Sequence, residues 1–221
     1  MTGIISDIHG NYSALEAVLS VFDETGVNDI YCLGDIVGYF SQINECCNEL
    51  KRRRVKCIMG NHDWYMVAGS FCPRSKSVND CLQFQRKIIT SENLEWLSGL
   101  PLFIKNDIGH MVHGGWTNPI DEYLVPNKEY FDKMPAGRYF SGHSHIQQLI
   151  KYKTSEYCNP GSVGQPRDDD CRASFAIFND DEIKLYRIDY DIENTCRLMD
   201  KAGFSSYYYG SLKDGSRFLH N

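Results

Sequence analysis

Residues 142–145 read GHSH, and residues 6–11 read SDIHGN. In both stretches two side chains that can hold a metal stand two positions apart, as His143 and His145 and as Asp7 and His9. Side chains at i and i+2 point the same way only in extended backbone, so each pair suits the end of a strand. Three further clusters carry the same chemistry: Gly34-Asp35, Gly60-Asn61-His62-Asp63, and His113. If they converge, Asp7, His9, Asp35, Asn61, His113, His143 and His145 form a set of oxygen and imidazole ligands without thiolate. Such a set suits divalent manganese, iron, nickel or zinc. Seven side chains are too many for one catalytic ion that keeps an open position. They fit two ions if one carboxylate bridges, and ions about 3.5–4 Å apart serve in-line displacement at phosphorus. Singly the signals are weak, since a strand-end Asp commonly caps a turn and a lone His commonly packs. Their shared setting carries the reading; His110 and His220 lack it.

The elements that must position these clusters are legible as short apolar segments alternating with amphipathic ones. TGIIS, NYSALEAVLSVFDETG and DIYCLG read as strand, helix, strand, with Leu15, Val18, Leu19 and Phe22 on one helical face. A second helix over 42–54 and the strand VKCIM complete a βαβαβ unit, which predicts an α/β domain with parallel strands. Lys51 to Arg54 is a basic run at a helix end, where cations favour the dipole. Residues 77–98 read as helical in two segments, VNDCLQFQRKII and then SENLEWLSGL with Ser91 as its cap. After Pro101 come LFIKND, GHMVHG, RYFSG, EYCN, ASFAIFN and EIKLYRIDY, short strands that suggest a second sheet, the last two joined by a turn at 179–181. A helix is expected over 192–202, and the tail with Tyr207 to Tyr209 is unassigned. Every cluster follows an expected strand, and in open α/β sheets ligands bind outside the carboxyl ends of strands.

Asp7-x-His9, Gly34-Asp35, Gly60-Asn61-His62-Asp63, His113 and Gly142-His143-x-His145, in this order, resemble the motif set of calcineurin-like metallophosphoesterases. SENLEWLSGLP, HGGWTNPIDEYL and NPGSVGQPRD resemble the compact prokaryotic branch of that family, so the resemblance runs from about Ile4 to Asp168. It implies a four-layer α/β/β/α sandwich of two mixed sheets flanked by helices. Residues 1–221 would form a single domain, with 173–221 completing the fold. It also implies one ion held by Asp7, His9, Asp35 and His145 and a second by Asp35, Asn61, His113 and His143, with Asp35 as bridge. The ions, manganese foremost, would lower the pKa of water and neutralise charge on the phosphoryl oxygens. Attack would be direct, His62 would donate a proton to the leaving oxygen or stabilise the transition state, and Asp63 would orient the His62 ring.

The chain departs from protein phosphatases and symmetrical dinucleoside tetraphosphate hydrolases of that family. GDIVGYF places Gly38 and Tyr39 where those enzymes carry Asp and Arg, and the third cluster ends in Asp63 rather than Glu. Loss of a guanidinium able to grip a phosphomonoester bidentately favours phosphodiester or nucleotide substrates. Arg167 either replaces that cation or is a surface arginine paired with Asp168 to Asp170. Asn11, Tyr39 and Arg167 are the candidate substrate contacts, Asn11 and Gly10 also shape the first loop, and Trp116 and Tyr39 are candidates to stack on a base. Selectivity is expected in loops 64–78 and 115–135. The alternatives are a dinucleoside polyphosphate hydrolase, a phosphomonoesterase or protein phosphatase, and a non-catalytic metal-binding scaffold. The complete ligand set favours the enzyme.

A net charge of −6 gives no general attraction to nucleic acid or anionic membrane. No apolar run approaches the ~20 residues of a membrane helix, and TGIIS running into a polar turn is no signal peptide. Nine scattered cysteines without a Cys-x-x-Cys pair read as reduced, mostly buried thiols of a cytoplasmic protein. The expected partner is a small phosphoester or nucleotide, and a homo-oligomer is left open.

Overall fold

The computed structural model describes residues 1–216. Its first half runs β1 (Thr2–Ile5), α1 (Tyr12–Thr25), β2 (Asp29–Cys32), α2 (Ile43–Arg52), β3 (Lys56–Cys57), α3 (Asn61–Ala68), α4 (Lys76–Ile88) and α5 (Ser91–Ser98). The second half runs β4 (Phe103–Lys105), β5 (His110–Val112), α6 (Lys128–Asp132), β6 (Gly137–Phe140), β7 (Gln148–Lys151), β8 (Ser155–Asn159), β9 (Ala173–Asn179), β10 (Glu182–Ile188) and α7 (Ile192–Lys201). Two five-stranded sheets result, ordered β10-β9-β1-β2-β3 and β4-β5-β6-β8-β7. β1, β2 and β3 are parallel, as are β5, β6 and β8, while β9, β10, β4 and β7 pair antiparallel. Both sheets are therefore mixed, as expected.

The sheets pack face to face. Ile4, Tyr31, Leu33 and Ile58 on one side meet Met111, Phe140 and Cys158 on the other in a shared core. The opposite face of the first sheet buries Ile5 and Phe175 against Leu15, Val18, Leu19 and Phe22 of α1 and Ile43, Cys46 and Leu50 of α2. Full burial of Phe22 contributes about 2–3 kcal/mol. Gly3 makes room for it, because a β-carbon there would stand 2.6 Å from the ring. The outer face of the second sheet has a thin cover: Phe131 of α6 on Tyr139 and Tyr157, with Trp116 beside them. Trp116 packs edge-on to Tyr139 at 5.0 Å. It is thus a packing residue, which corrects its expected stacking role.

Four further expectations change. ASFAIFN and EIKLYRIDY join the first sheet, where β9 pairs with β1 in the register Thr2↔Phe178, rather than the second. Periodicity identifies a strand without identifying its neighbour. The two helical segments expected within 77–98 are present as α4 and α5, but the cap of α5 is Thr90, whose side chain accepts from the Asn93 N–H, in place of Ser91. Residues 64–68 of the expected selectivity loop belong to helix α3 and 76–78 to α4, and β7 and α6 were not anticipated. The 179–181 turn is present, with Asp180 and Asp181 both at positive φ between paired Asn179 and Glu182. Eight of the nine cysteines are buried and all are free. Among the described residues no helix is long and apolar enough to cross a membrane; His220 lies outside them.

Candidate metal centre

The clusters do converge. Asp7 and His9 follow β1, Asp35 follows β2, Asn61 opens α3 after β3, His113 follows β5, and His143 and His145 follow β6. These ends belong to both sheets, so the site lies where parallel strands of the two sheets terminate together. Five of the seven side chains sit on left-handed backbone: Asp7 (φ 54°), His9 (φ 55°), Asp35 (φ 54°), His143 (φ 64°) and His145 (φ 60°). Such a conformation is uncommon outside glycine and costs on the order of 1–3 kcal/mol when imposed. The strain is held by long-range backbone hydrogen bonds: Asp7 N–H to Gly34 O, His9 N–H to Asp35 O, and Gly164 N–H to Asp7 O.

Three overlapping groups of ligating atoms form among the described residues: Asp7 with His9 and His145, Asp35 with His113 and His143, and His9 with Asp35 and His62, which shares a member with each of the other two. His145 Nε2 lies 3.3 Å from Asp7 Oδ1 and 3.1 Å from His9 Nε2. His113 Nε2 lies 3.4 Å from Asp35 Oδ2 and 3.0 Å from Asn61 Oδ1. Asp35 Oδ2 is also 3.7 Å from His9 Nε2, so a single oxygen reaches the first two of these groups. The second oxygen of Asp35 accepts the His62 N–H at 2.8 Å. Gly60 permits that approach, because a β-carbon there would stand 2.1 Å from Asp35 Oδ1.

The donor set fits cations. His9, His113 and His145 each commit Nδ1 to a backbone carbonyl, of Val37 at 2.9 Å, Leu33 at 2.8 Å and Gln165 at 2.6 Å. A carbonyl accepts only, so Nδ1 carries the proton and Nε2 presents a lone pair, the arrangement that outer partners impose on ligating histidine. A lone pair therefore faces a lone pair at His9–His145, a pair that calls for a positive charge between them, and at His113–Asn61 that positive charge is either a proton on Nε2 or an ion in its place. Asp7 Oδ1 and His143 Nε2 are buried with no hydrogen-bond partner, orphans of the kind an ion satisfies. Burial holds His9 and His145 well below the ordinary imidazole value and takes His143 down to about 2, so all three stay neutral and ligation-competent. Burial also opposes charging of His113, but the Asp35 carboxylate outweighs it and raises His113 to about 10.

His62 projects into the same site, with Nε2 4.0 Å from Asp35 Oδ2 and Nδ1 buried without a partner. The expectation that Asp63 orients this ring meets a different geometry. Asp63 Oδ1 accepts the N–H groups of Ile36 and Val37, and Oδ2 that of Gly60, all at 3.0 Å. Asp63 is a brace between the second and third clusters. Burial, then the charge of Asp35, pushes it up to about 7, against three donors that favour its carboxylate. The His62 ring is bounded instead by Tyr39 at 5.0 Å and by Gly38, whose β-carbon would stand 2.5 Å from His62 Nδ1 and 2.6 Å from His9 Nδ1.

Arg167 turns inward, which corrects the surface-pair alternative. Nη2 donates to the Tyr39 hydroxyl and to Gln165 Oε1, both at 2.8 Å, and Nη1 donates to the Tyr123 hydroxyl at 3.2 Å. Asp168 pairs with Arg187 and Asp170 with Arg172 instead. Asn11 is fully buried, and its amide is spent on Ala14 N–H, Gly164 O, Tyr190 and Thr195, which supports loop shaping over substrate contact. Sequence reasoning missed Gln85, which is buried on α4 and bonds Gly38 N–H and the carbonyls of Gly38 and Phe40, fixing the segment that carries Tyr39. It also missed Asp121, 3.7 Å from His143 Nε2 and paired with Arg74. Neither residue belongs to a cluster with recognisable spacing.

A family model described as a calcineurin-like phosphoesterase superfamily domain matches residues 1–182. An uncharacterised protein, MJ0912, of Methanocaldococcus jannaschii is 38% identical over 87% of this chain and 89% of its own length. The crystal structure of a metallophosphoesterase from Sphaerobacter thermophilus superposes with a TM-score of 0.83 at 30% identity, covering 97% of this chain and 98% of the other. The hypothetical protein PH1004 of Pyrococcus horikoshii shares the fold, with a TM-score of 0.85 at 21% identity over 98% of this chain and 99% of its own.

Proposed function

The chain belongs to the calcineurin-like phosphoesterase superfamily and is a metal-dependent phosphoester hydrolase, and from that premise we propose that it cleaves phosphodiester or nucleotide-type bonds at a centre of two divalent cations. One ion would be held by Asp7, His9, Asp35 and His145, the other by Asp35, Asn61, His113 and His143. The observation that carries this reading is Asp35 Oδ2, which lies within 3.7 Å of His9 and 3.4 Å of His113, the inner imidazoles of the two groups. Manganese is the ion of choice for a thiolate-free oxygen and nitrogen set, with iron, nickel and zinc as competitors.

Divalent cations held by these residues would supply Lewis acidity and lower the pKa of water. The protein's own residues do the rest. His62 Nε2 faces the site beside Asp35 and donates the proton that the leaving oxygen takes up. Burial lowers its pKa while the Asp35 charge raises it, and an arriving phosphate adds to the charge that favours imidazolium. Arg167, fixed by the Tyr39 and Tyr123 hydroxyls, presents a guanidinium to non-bridging phosphoryl oxygens. Asp63 and Gln85 hold the loops that aim His62 and Tyr39.

Gly38 and Tyr39, in place of an acidic and a basic side chain, support diesters over phosphoproteins. We read the chain as one domain, because Ile4 and Phe140 from different sheets share a core and both sheets furnish ligands. The test is a panel of chromogenic monoesters and diesters assayed with manganese, nickel and zinc. Chelator-sensitive diester turnover supports the reading. A metal-free, inert protein would favour the scaffold alternative.

A further inference from the structure

The cavity over the metal ligands has a volume of about 530 Å³, within the range of sites that hold drug-sized ligands. A phosphoryl group held at Asp35, His62 and Arg167 fills only part of that volume. Its lining also includes Tyr207 and Tyr208 of the C-terminal tail. This tail lies beyond the residues matched by the family model, so its tyrosines are no part of the shared motif set.

The tail is firmly placed. Tyr208 sits 4.9 Å from Phe204, edge to face, and Phe204 packs 5.3 Å from Phe84 on α4. The Tyr208 hydroxyl donates to Asp80 Oδ2 at 3.0 Å, also on α4. Further along, Asp169 N–H donates to Gly215 O at 3.1 Å, tying the tail to the loop that follows Arg167. Tyr207 stands on this anchored base, its ring perpendicular to Tyr208 at 5.3 Å, yet it is 63% exposed. An exposed aromatic ring on a cavity wall, carried by an anchored backbone and set against one neighbouring ring, offers an open face with only two χ angles to order. Ordering entropy is then small when a second planar group settles on it.

We infer that Tyr207 is the platform of a base subsite, which takes the planar aromatic group of a nucleotide whose phosphate lies at the metal ligands. This rests on the phosphoester-hydrolase reading of the same site. Arg167, on the same lining, supplies the cation for the phosphate, so recognition divides into an anionic part and a stacking part. Base–aromatic stacking tolerates every base, and the subsite therefore selects nucleotides as a class over alkyl phosphates.

Calorimetry on the manganese-loaded full chain, with AMP and ribose 5-phosphate as probes, isolates the contribution of the base. The wild type binds AMP about tenfold or more tighter than ribose 5-phosphate. Tyr207→Ala brings the two within about threefold by weakening AMP alone, and Tyr207→Phe keeps the wild-type ratio. Because the side chain is exposed, the alanine variant folds, and its unchanged affinity for ribose 5-phosphate verifies this. If diesters are hydrolysed but the two probes bind alike, or neither binds, this inference falls alone. If no phosphoester is hydrolysed and neither probe binds, the functional reading falls and takes the subsite with it.

Discussion

His9 and His145 direct their Nε2 atoms at each other across 3.1 Å while each Nδ1 is tied to a carbonyl. Two lone pairs at that separation repel, and a cation between them turns the repulsion into ligation. Metal and fold are therefore linked, since an ion that binds only the native chain stabilises it by about 2.7 kcal/mol at a hundredfold excess over Kd. Chelation should lower Tm by roughly 5–10 °C for a chain of this size. Scanning calorimetry with and without chelator checks this, and an unchanged Tm contradicts it.

The metal-free protein should lose stability on both sides of neutrality. His9, His143 and His145 stay neutral in the fold, His143 down to about 2, while an unfolded imidazole takes up a proton near pH 6.5. The unfolded state then binds more protons, so stability falls as pH drops below about 6.5. His113, raised to about 10, has the opposite sign. Its contribution is full below about pH 6.5 and is lost as pH rises from there through 10. Asp63, raised to about 7, loses its contribution as pH rises from about 4 and offsets one of the three histidines. Thermal melts from pH 5 to 9 should show a maximum near neutrality in chelator. Manganese should remove the alkaline decline, because an ion replaces the proton at His113. An identical alkaline limb in both conditions would count against this assignment.

His62→Ala should bind both ions and lose about 10²–10⁴-fold in kcat, the range of a positioned acid. Asp35→Asn should lose metal as well as activity. Metal analysis beside kinetics separates the two. Full turnover by the His62 variant would sink its role as proton donor.

Gly38 has φ 119° and stands against His62 and His9, whereas Gly26 has φ 74° and open space around it. Alanine at either position carries the backbone cost of about 1–2 kcal/mol. Only Gly38→Ala should also displace the histidines, and a shift near 1 Å costs about 10²-fold in rate. Equal kcat for the two variants would show that the cleft at Gly38 does not set the position of His62.

Arg167→Lys keeps the charge but loses the fork held by Tyr39 and Tyr123, and lysine does not replace arginine where two oxygens are gripped. KM for a diester should rise about tenfold with metal content unchanged. A KM equal to wild type would return Arg167 to a structural role.

Much of this site was legible because metal ligation needs a few residue types at strand ends, and those types stand in Asp7-x-His9, Gly60-Asn61-His62-Asp63 and Gly142-His143-x-His145. The helices α1, α2 and α7 were legible from apolar spacing, since each buries one face. The sheet partner of β9 was not, because its residues are buried whichever sheet they join. α3 escaped notice because its first turn is polar and buried by the site itself. The brace made by Asp63, the grip of Gln85 on Gly38 and the inward turn of Arg167 depend on contacts between segments far apart in the chain, which no local pattern encodes. The left-handed backbone at Asp7, His9, Asp35, His143 and His145 is the structural counterpart of the motif, strain kept where the ligands must converge.

The central claim is that Asp35 bridges two ions. Anomalous diffraction at the manganese edge, from crystals of the protein grown with manganese, addresses it directly. The account predicts two peaks flanking Asp35, one also contacting Asp7, His9 and His145, the other Asn61, His113 and His143. A single peak, or two peaks that share no contact with Asp35, would contradict it.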